Sequence, residues 1–382
     1  PYRRRLPELA RRPGPAGQDS RGRLTFCGRS AGVHLSRRCV RGPTPCTRGA
    51  GASYHKAMKI LIMGSGTYAQ KHAAILAEME DVTVTAFCSR TADHASAAAA
   101  ALADRTGTSV SAYTELEHAL DAEEPDAAVI VVTPNAHGET ELELARRGVP
   151  FLVEKPLGLD PQTPRRIAQA VANAGLVTSV GFHLRYLDTT AALKAMLRAT
   201  TPVLANGYWM STLPPPAWWR HREESGGQFV EQTIHVMDLV RLLFGEARWV
   251  SASVSTRAIG ELHADADVPD AGAAILRMEN GMTVTIVNSC VGPASLRVGL
   301  EAVTPVALFQ FSPDLLTVRR ERETTQTRPA IDPYRAEDAA FIQAIRTGDA
   351  SEIRSPYADA LKSHDLSMAI VESARTGRPV EL

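Results

Sequence analysis

The chain has no apolar run approaching the ~20 residues that a helical bilayer crossing needs, which excludes a helical membrane protein. It has no cysteine framework either. Its five cysteines, Cys27, Cys39, Cys46, Cys88 and Cys290, are odd in number and scattered, which fits a reducing, cytoplasmic setting. It has no internal repeats. It also has no net charge, yet the formal balance of +0 hides an asymmetry. Residues 1–57 carry +11 and the remaining residues −11, so an acidic body bears a basic extension. What is present is ordinary for a soluble globular protein, with 44% hydrophobic and 22% charged residues in a chain of 382, long enough for two domains.

The basic segment, opening "PYRRRLPELARRPGPAGQDSRGR", shows neither helical nor strand periodicity. Dominated by Arg, Pro and Gly, it buries too little to offset the entropy of ordering. It lacks the aromatic interleaving of a nucleic-acid arm and the amphipathicity of a transit peptide. His34, Cys39 and Cys46 lack zinc spacing. The segment is expected to be a disordered, non-native extension, with Met58 where a start would fall.

From Met58 onward, short apolar runs alternate with helical patterns. "MKILIMGSGTYAQKHAAIL" reads as a strand, a tight turn and an amphipathic helix enclosing G-x-G-x-x-A. Gly64 permits the turn, Gly66 lets the backbone approach a pyrophosphate, and Ala69 lets helix and strand pack closely. A helix N-terminus here attracts the anion. Gly64, Ser65, Gly66, Thr67, Tyr68 and Ala69 are therefore the expected dinucleotide turn. The runs 82–88, 127–132 and "PFLVEK" are further strands, each separated by helices, which predicts a parallel doubly wound sheet. Ligands of such sheets lie beyond the strands' carboxyl ends. Thr133-Pro134-Asn135 and Glu154-Lys155 stand at those ends, so all five join the expected cofactor set. After the second strand comes Cys88-Ser89-Arg90-Thr91 in place of an acid. A hydroxyl and a guanidinium suit a 2′-phosphate, which favours NADP; NAD read through Ser89 stays open.

The second half changes character. A helix around 190–198 is followed by a proline-rich loop with Trp218 and Trp219, then by six or so closely spaced strands that predict an antiparallel sheet. In between, "SGGQFVEQTIHVMDLVRLLFG" is expected to be one helix ended by Gly245, with Glu231, His235 and Asp238 along one face as the wall of a cavity. Glu-x-x-x-His is half of a metal site, but no further ligand is evident, so no metal is expected. The tail reads as helices.

Together "GSGTYA", "TPNAHGE", "EKPLG", "GFHLRY", "GGQFVEQTIHVMDLVRLLFG" and "SARTGRPVEL" resemble the family named for glucose–fructose oxidoreductase, inositol dehydrogenase and the rhizopine protein MocA. The resemblance covers Met58 to Leu382. It implies a Rossmann domain, here 58–180, an α+β substrate and oligomerisation domain with a large, open, mostly antiparallel sheet, here 181–330, and C-terminal helices, 331–382, packing back near the first domain. It implies a catalytic lysine, Lys155, commonly followed by a cis peptide, and a catalytic pair that matches Glu231 and His235, with Glu in place of the family's usual Asp. The expected cofactor set also takes in His137. The expected substrate contacts are His183, Arg185, Trp218, Trp219, Arg220, Gln232 and His235. The expected activity is NAD(P)-dependent interconversion of a ring hydroxyl and a ketone on a sugar, cyclitol or sugar-bearing metabolite. A dinucleotide-binding sensor and a glycosidase that retains its dinucleotide are the alternatives. Neither nucleic acid nor membrane is an expected partner. A homodimer or homotetramer through the C-terminal sheet is expected, because its strands carry apolar residues at both alternating positions.

Overall fold

Short β-branched runs separated by amphipathic helices build the first sheet. The computed structural model describes residues 57–382; the basic segment, with His34, Cys39 and Cys46, lies outside the described residues. Strands β1 (Met58–Met63), β2 (Val82–Cys88), β3 (Ser111–Tyr113), β4 (Ala127–Ile130), β5 (Phe151–Val153) and β6 (Thr178–Val180) alternate with helices α1 (Thr67–Leu76), α2 (Ala92–Thr106), α3 (Leu116–Glu123), α4 (Glu139–Arg147) and α5 (Gln162–Ala174). The order is β3-β2-β1-β4-β5-β6, with every pair parallel. Helices on both faces explain why β4, β5 and β6 are buried at every position, and why β4 and β5 read as unbroken apolar runs. The strand order reverses between β1 and β4, and the carboxyl ends of these strands are where ligands of such sheets bind.

Helix α6 (Asp188–Arg198) leads into a nine-stranded sheet. Its strands are β7 (Leu204–Met210), β8 (Ala247–Ser255), β9 (Ala271–Met278), β10 (Thr283–Ser289), β11 (Arg297–Val303), β12 (Leu308–Ser312), β13 (Leu315–Arg319), β14 (Thr324–Thr327) and β15 (Val380–Glu381). The order is β14-β13-β12-β11-β7-β10-β9-β8-β15, antiparallel except where β7 pairs with β10. In β10 the inward Val284, Ile286 and Asn288 are buried, while Thr285 and Val287 on the other face are only half-buried. Six more helices complete the body: α7 (Arg222–Ser225), α8 (Gln228–Glu231), α9 (Ile234–Phe244), α10 (Ile259–Leu262), α11 (Pro333–Thr347) and α12 (Tyr357–Thr376). Helix α9 lies so close to β7 that a Cβ on Gly207 would meet Val236 at 2.5 Å. Helix α11 packs on α1, and α12 packs on β8 and α9.

The segment expected to be one helix is two, α8 and α9, preceded by the short α7. Gly226 (φ +72°) ends α7 in a left-handed conformation. Between α8 and α9 the backbone makes one wide turn, in which the Thr233 amide donates to the Gln228 carbonyl five residues back at 2.8 Å. Thr233 Oγ1 accepts from Asn288 Nδ2 at 3.0 Å, so its side chain serves the sheet. The wide turn shifts Glu231 out of helical register with His235 and Asp238.

Candidate active site

The first element of the site is the turn from β1 into α1. Gly64 has φ +105°, and a Cβ there would lie 1.9 Å from the Val131 carbonyl oxygen. Gly66 caps α1 with extended backbone and open space around it, with no side-chain cap and no acidic residue in the first turn. The first-turn amides are therefore free to receive an anion. Ala69 is fully buried, where a larger side chain would push helix and sheet apart. Ser65 Oγ and Ser89 Oγ are 2.9 Å apart, joining this turn to the end of β2, and Arg90 is exposed beside them. After β4, Thr133 Oγ1 donates to Asn135 Oδ1 at 2.7 Å in a short 3₁₀ turn that begins at Pro134. His137 Nδ1 lies 2.6 Å from Glu141 Oε1, while its buried Nε2 has no partner. An open helix end, a glycine that tolerates no Cβ and an unpaired imidazole nitrogen at the rim fit a dinucleotide.

The second element is the corner after β5. The Lys155–Pro156 peptide is cis. Lys155 Nζ donates to the Glu231 carbonyl oxygen at 2.8 Å and to Glu231 Oε1 at 2.5 Å. The other carboxyl oxygen of Glu231 accepts from Trp219 Nε1 at 2.7 Å. Burial works to lower the lysine's pKa, but Glu231 and then Glu154 outweigh it and hold Lys155 above its ordinary value. Glu154 itself turns inward rather than towards the crevice. Its carboxylate packs where a Cβ on Gly181 would lie, 2.6 Å away, and meets His72 Nε2 at 3.3 Å.

The third element is an aromatic wall around His235. Trp209 stacks on it with centroids 5.8 Å apart, and Phe182 and His183 meet it edge-on at 6.0 and 4.8 Å. His183 in turn stacks on Tyr334 of α11 at 4.2 Å, and Lys71 Nζ sits 3.3 Å above the Tyr334 ring. Nδ1 of His235 and Nδ1 of His183 are buried without partners. Burial, followed by Lys155 and His183, drives the pKa of His235 well below the imidazole value, and burial drives that of His183 to about 4. Both rings are thus neutral near pH 7, and an uncharged imidazole keeps a lone pair for a proton.

Several expected substrate contacts are placed elsewhere. Arg185 is buried, with Nε and Nη2 each 2.6 Å from a different carboxyl oxygen of Asp238 and Nη1 2.6 Å from Asp359. Its guanidinium is held within the core by Asp238, Asp359 and the Arg354 carbonyl, and Asp238 faces Arg185 rather than continuing a stripe with Glu231 and His235. Trp219 is 1% exposed and packs with Ile259, Val268 and Cys290, so its ring is core and only its N–H reaches the site. Trp218 packs partly buried beside that cluster. Arg220 pairs with Asp265 at 3.4 Å and contacts His263 Nδ1 at 2.9 Å, and Gln232 Oε1 accepts from Gln228 at 3.1 Å. Tyr334, Trp209 and His72 escape a reading of the sequence, because only the fold brings α11, β7 and the middle of α1 to this rim.

Residues 58–182 match the family described as "Oxidoreductase family, NAD-binding Rossmann fold", and residues 198–303 match the GFO/IDH/MocA C-terminal domain. An inositol 2-dehydrogenase from Rhizobium meliloti (strain 1021) is 27% identical over 335 residues, 84% of this chain and 98% of its own length. The rhizopine catabolism protein MocA from Rhizobium meliloti is 28% identical over 189 residues, 48% of this chain and about half (56%) of its own length. A levoglucosan dehydrogenase solved with NADH and levoglucosan superimposes with a TM-score of 0.75 at 20% identity, covering 85% of this chain and 99% of that one. With both domains matched in order, and with a parallel six-stranded sheet followed by a mostly antiparallel nine-stranded one, the chain belongs to the GFO/IDH/MocA family of oxidoreductases.

Proposed function

We propose that the protein oxidises a secondary ring hydroxyl of a sugar or cyclitol to a ketone, or reduces the ketone, with a nicotinamide dinucleotide. The observation that carries this reading is the meeting of a charged Lys155 with a neutral, unpartnered His235 at the carboxyl rim of a dinucleotide-type sheet. The inositol and levoglucosan dehydrogenases among its relatives support the substrate class. Gly64 to Ala69, Ser89, Thr133 to Asn135 and His137 would hold the dinucleotide, which supplies the hydride acceptor when bound. His235 then takes the hydroxyl proton through its free imidazole nitrogen. Lys155 places its positive charge beside the developing alkoxide. Glu231, hydrogen-bonded by Lys155 and Trp219, fixes the direction of the ammonium. The aromatic wall excludes water from the reacting atoms.

Ser89 and Arg90 support a preference for NADP over NAD, through a charge-assisted contact with a 2′-phosphate. Arg90→Ala is then expected to weaken NADP by about 1.5–3 kcal/mol and leave NAD nearly unchanged. Equal losses for the two cofactors in a fluorescence titration count against that preference. Assembly of the C-terminal sheets into a homodimer or homotetramer belongs to the same reading. The activity itself is tested on a panel of inositols, free sugars and anhydrosugars with each cofactor, followed by nicotinamide absorbance in both directions. At least one member is expected to change the redox state of the nicotinamide at a steady rate. Silence across the panel in both directions contradicts the proposal.

A further inference from the structure

Beneath the Glu154–Lys155 corner lies a buried ionic cluster that the mechanism above does not use. His72, on α1, is fully buried, with Nδ1 2.7 Å from Asp338 Oδ1 and Nε2 3.3 Å from Glu154 Oε1. Glu337 lies beside Asp338 at the start of α11, also fully buried, and neither of its carboxyl oxygens has a partner. Among the described residues, His72 is the only cationic side chain within ion-pair distance of Glu154 or Asp338. Glu154 uses its other oxygen, Oε2, to accept the Lys155 backbone N–H at 3.1 Å. One imidazole therefore ties the dinucleotide helix, the catalytic corner and a C-terminal helix 266 residues away.

The geometry of the two helices repeats the connection one turn earlier. Tyr68 and His72 are four residues apart on α1, and Tyr334 and Asp338 are four apart on α11. Tyr68 meets Tyr334 with centroids 5.9 Å apart, while His72 meets Asp338. Tyr334 carries the stack through His183 to His235. The contact between these helices thus touches both arms of the site.

We infer that His72 is a positioning residue, which fixes the Glu154 carboxylate and through it the charge and orientation of Lys155. An imidazole with a carboxylate at each nitrogen satisfies both only as the imidazolium. Against burial, Asp338 and then Glu154 raise the His72 pKa well above its ordinary value, while burial raises Glu337 well above the usual carboxylate value. Burial alone would raise Glu154, but the His72 hydrogen bond and charge, with the Lys155 ammonium behind them, bring it below the usual carboxylate value. The ionised Glu154 then helps to hold Lys155 protonated, together with Glu231 on α8 and Tyr68 on α1, against burial; the neutral His183 and His235 are the other titratable groups at this corner. Removing the imidazole takes away the one side chain that pairs directly with the buried Glu154 among the described residues, which favours its protonated form, and Lys155 then loses one of the charges that favour its ammonium form.

The kinetic part of this inference rests on the oxidoreductase reading, so the test includes a measurement that needs no turnover. The full chain is compared with His72→Leu and His72→Gln by competitive acetylation of Lys155 across pH, read by peptide mass. In both variants the acetylation midpoint of Lys155 is expected to fall by about one pH unit. Affinity for reduced dinucleotide is expected to stay within about twofold, and kcat to drop by about tenfold or more at unchanged KM. A purely structural role predicts a lower melting temperature with the Lys155 midpoint unmoved, and that result overturns the inference. If neither variant folds, Asp338→Asn replaces them; it weakens the hold on the imidazolium, and the same downward shift at Lys155 is required. A wild-type protein that turns over none of the panel strikes the oxidoreductase reading, and the acetylation midpoint still decides the role of His72.

Discussion

Glu231 is gripped from two sides, by Lys155 at 2.5 Å and by Trp219 at 2.7 Å, and its backbone carbonyl also accepts from Lys155. A carboxylate with both oxygens engaged is suited to orienting its neighbour rather than to abstracting a proton, which supports the proposal of His235 as the base. Arg185 provides a sharp test of the placement of charges. Both it and Asp238 are almost fully buried, and removing one member of such a pair typically costs about 3–5 kcal/mol. Arg185→Met is therefore expected to lower the melting temperature strongly and leave KM nearly unchanged in whatever fraction stays folded. A stable variant with a raised KM would instead make Arg185 a substrate contact. The sequence makes Lys155, Glu231 and His235 legible, because each lies in a compact motif whose local context implies a rim or a cavity. It hides the partners. Arg185 reads as a substrate contact until Asp238, 53 positions away, closes on it. His72 reads as one more residue of an amphipathic helix until α11 brings Asp338 beside it.

At the scale of elements, the turn from β1 to α1 is as expected, because glycine spacing and helix onset are local physics. Its demand is strict. A side chain on Gly64 would collide with the backbone of Val131, just after β4, and a flexible side chain's escape route is not available to a carbonyl. Gly64→Ala is expected to lose dinucleotide binding by at least about tenfold and to lose stability as well, since φ +105° also strains any residue with a Cβ. Isothermal titration beside a melting curve checks both; retained affinity in a stable variant would show that the turn does not approach its ligand closely. The one long helix that periodicity predicts is broken at Gln232–Thr233. Apolar periodicity survives a single wide turn, because the residues after it resume the same spacing, so the pattern alone does not disclose the break. Its cause is tertiary: Thr233 is drawn to Asn288 of β10, and Glu231 is thereby delivered to Lys155 instead of to His235.

Over the whole molecule, the parallel sheet supplies Lys155 and the dinucleotide turn, and the segment packed on the antiparallel sheet supplies Glu231 and His235. Neither half contains the site alone. The alternation of strands and helices discloses four strands of the first sheet, but not β3 and β6, which are three residues each and not continuous apolar runs. The second was legible as a run of strands, but not in its strand order, nor in its edge pieces β14 and β15, which are short and polar. The face of the second sheet turned away from the helices holds half-buried Val287 and Leu308, exposed Ile275, and a depression of about 610 Å³ beside Tyr208 and Arg297. Such a face is expected to be covered by a second copy. Sedimentation at micromolar concentration is expected to give a dimer or tetramer, and a monomer alone would reject the assembly. The central claim is that Lys155 acts on the reacting hydroxyl and not on cofactor binding or folding. It is tested most directly by purified Lys155→Ala, with turnover and dinucleotide affinity measured on the same sample. Turnover is expected to fall by roughly 10²–10⁴-fold with affinity little changed, because the pyrophosphate is held at Gly64 to Ala69. Turnover near that of the wild type, with or without a small loss of thermal stability, would contradict the account.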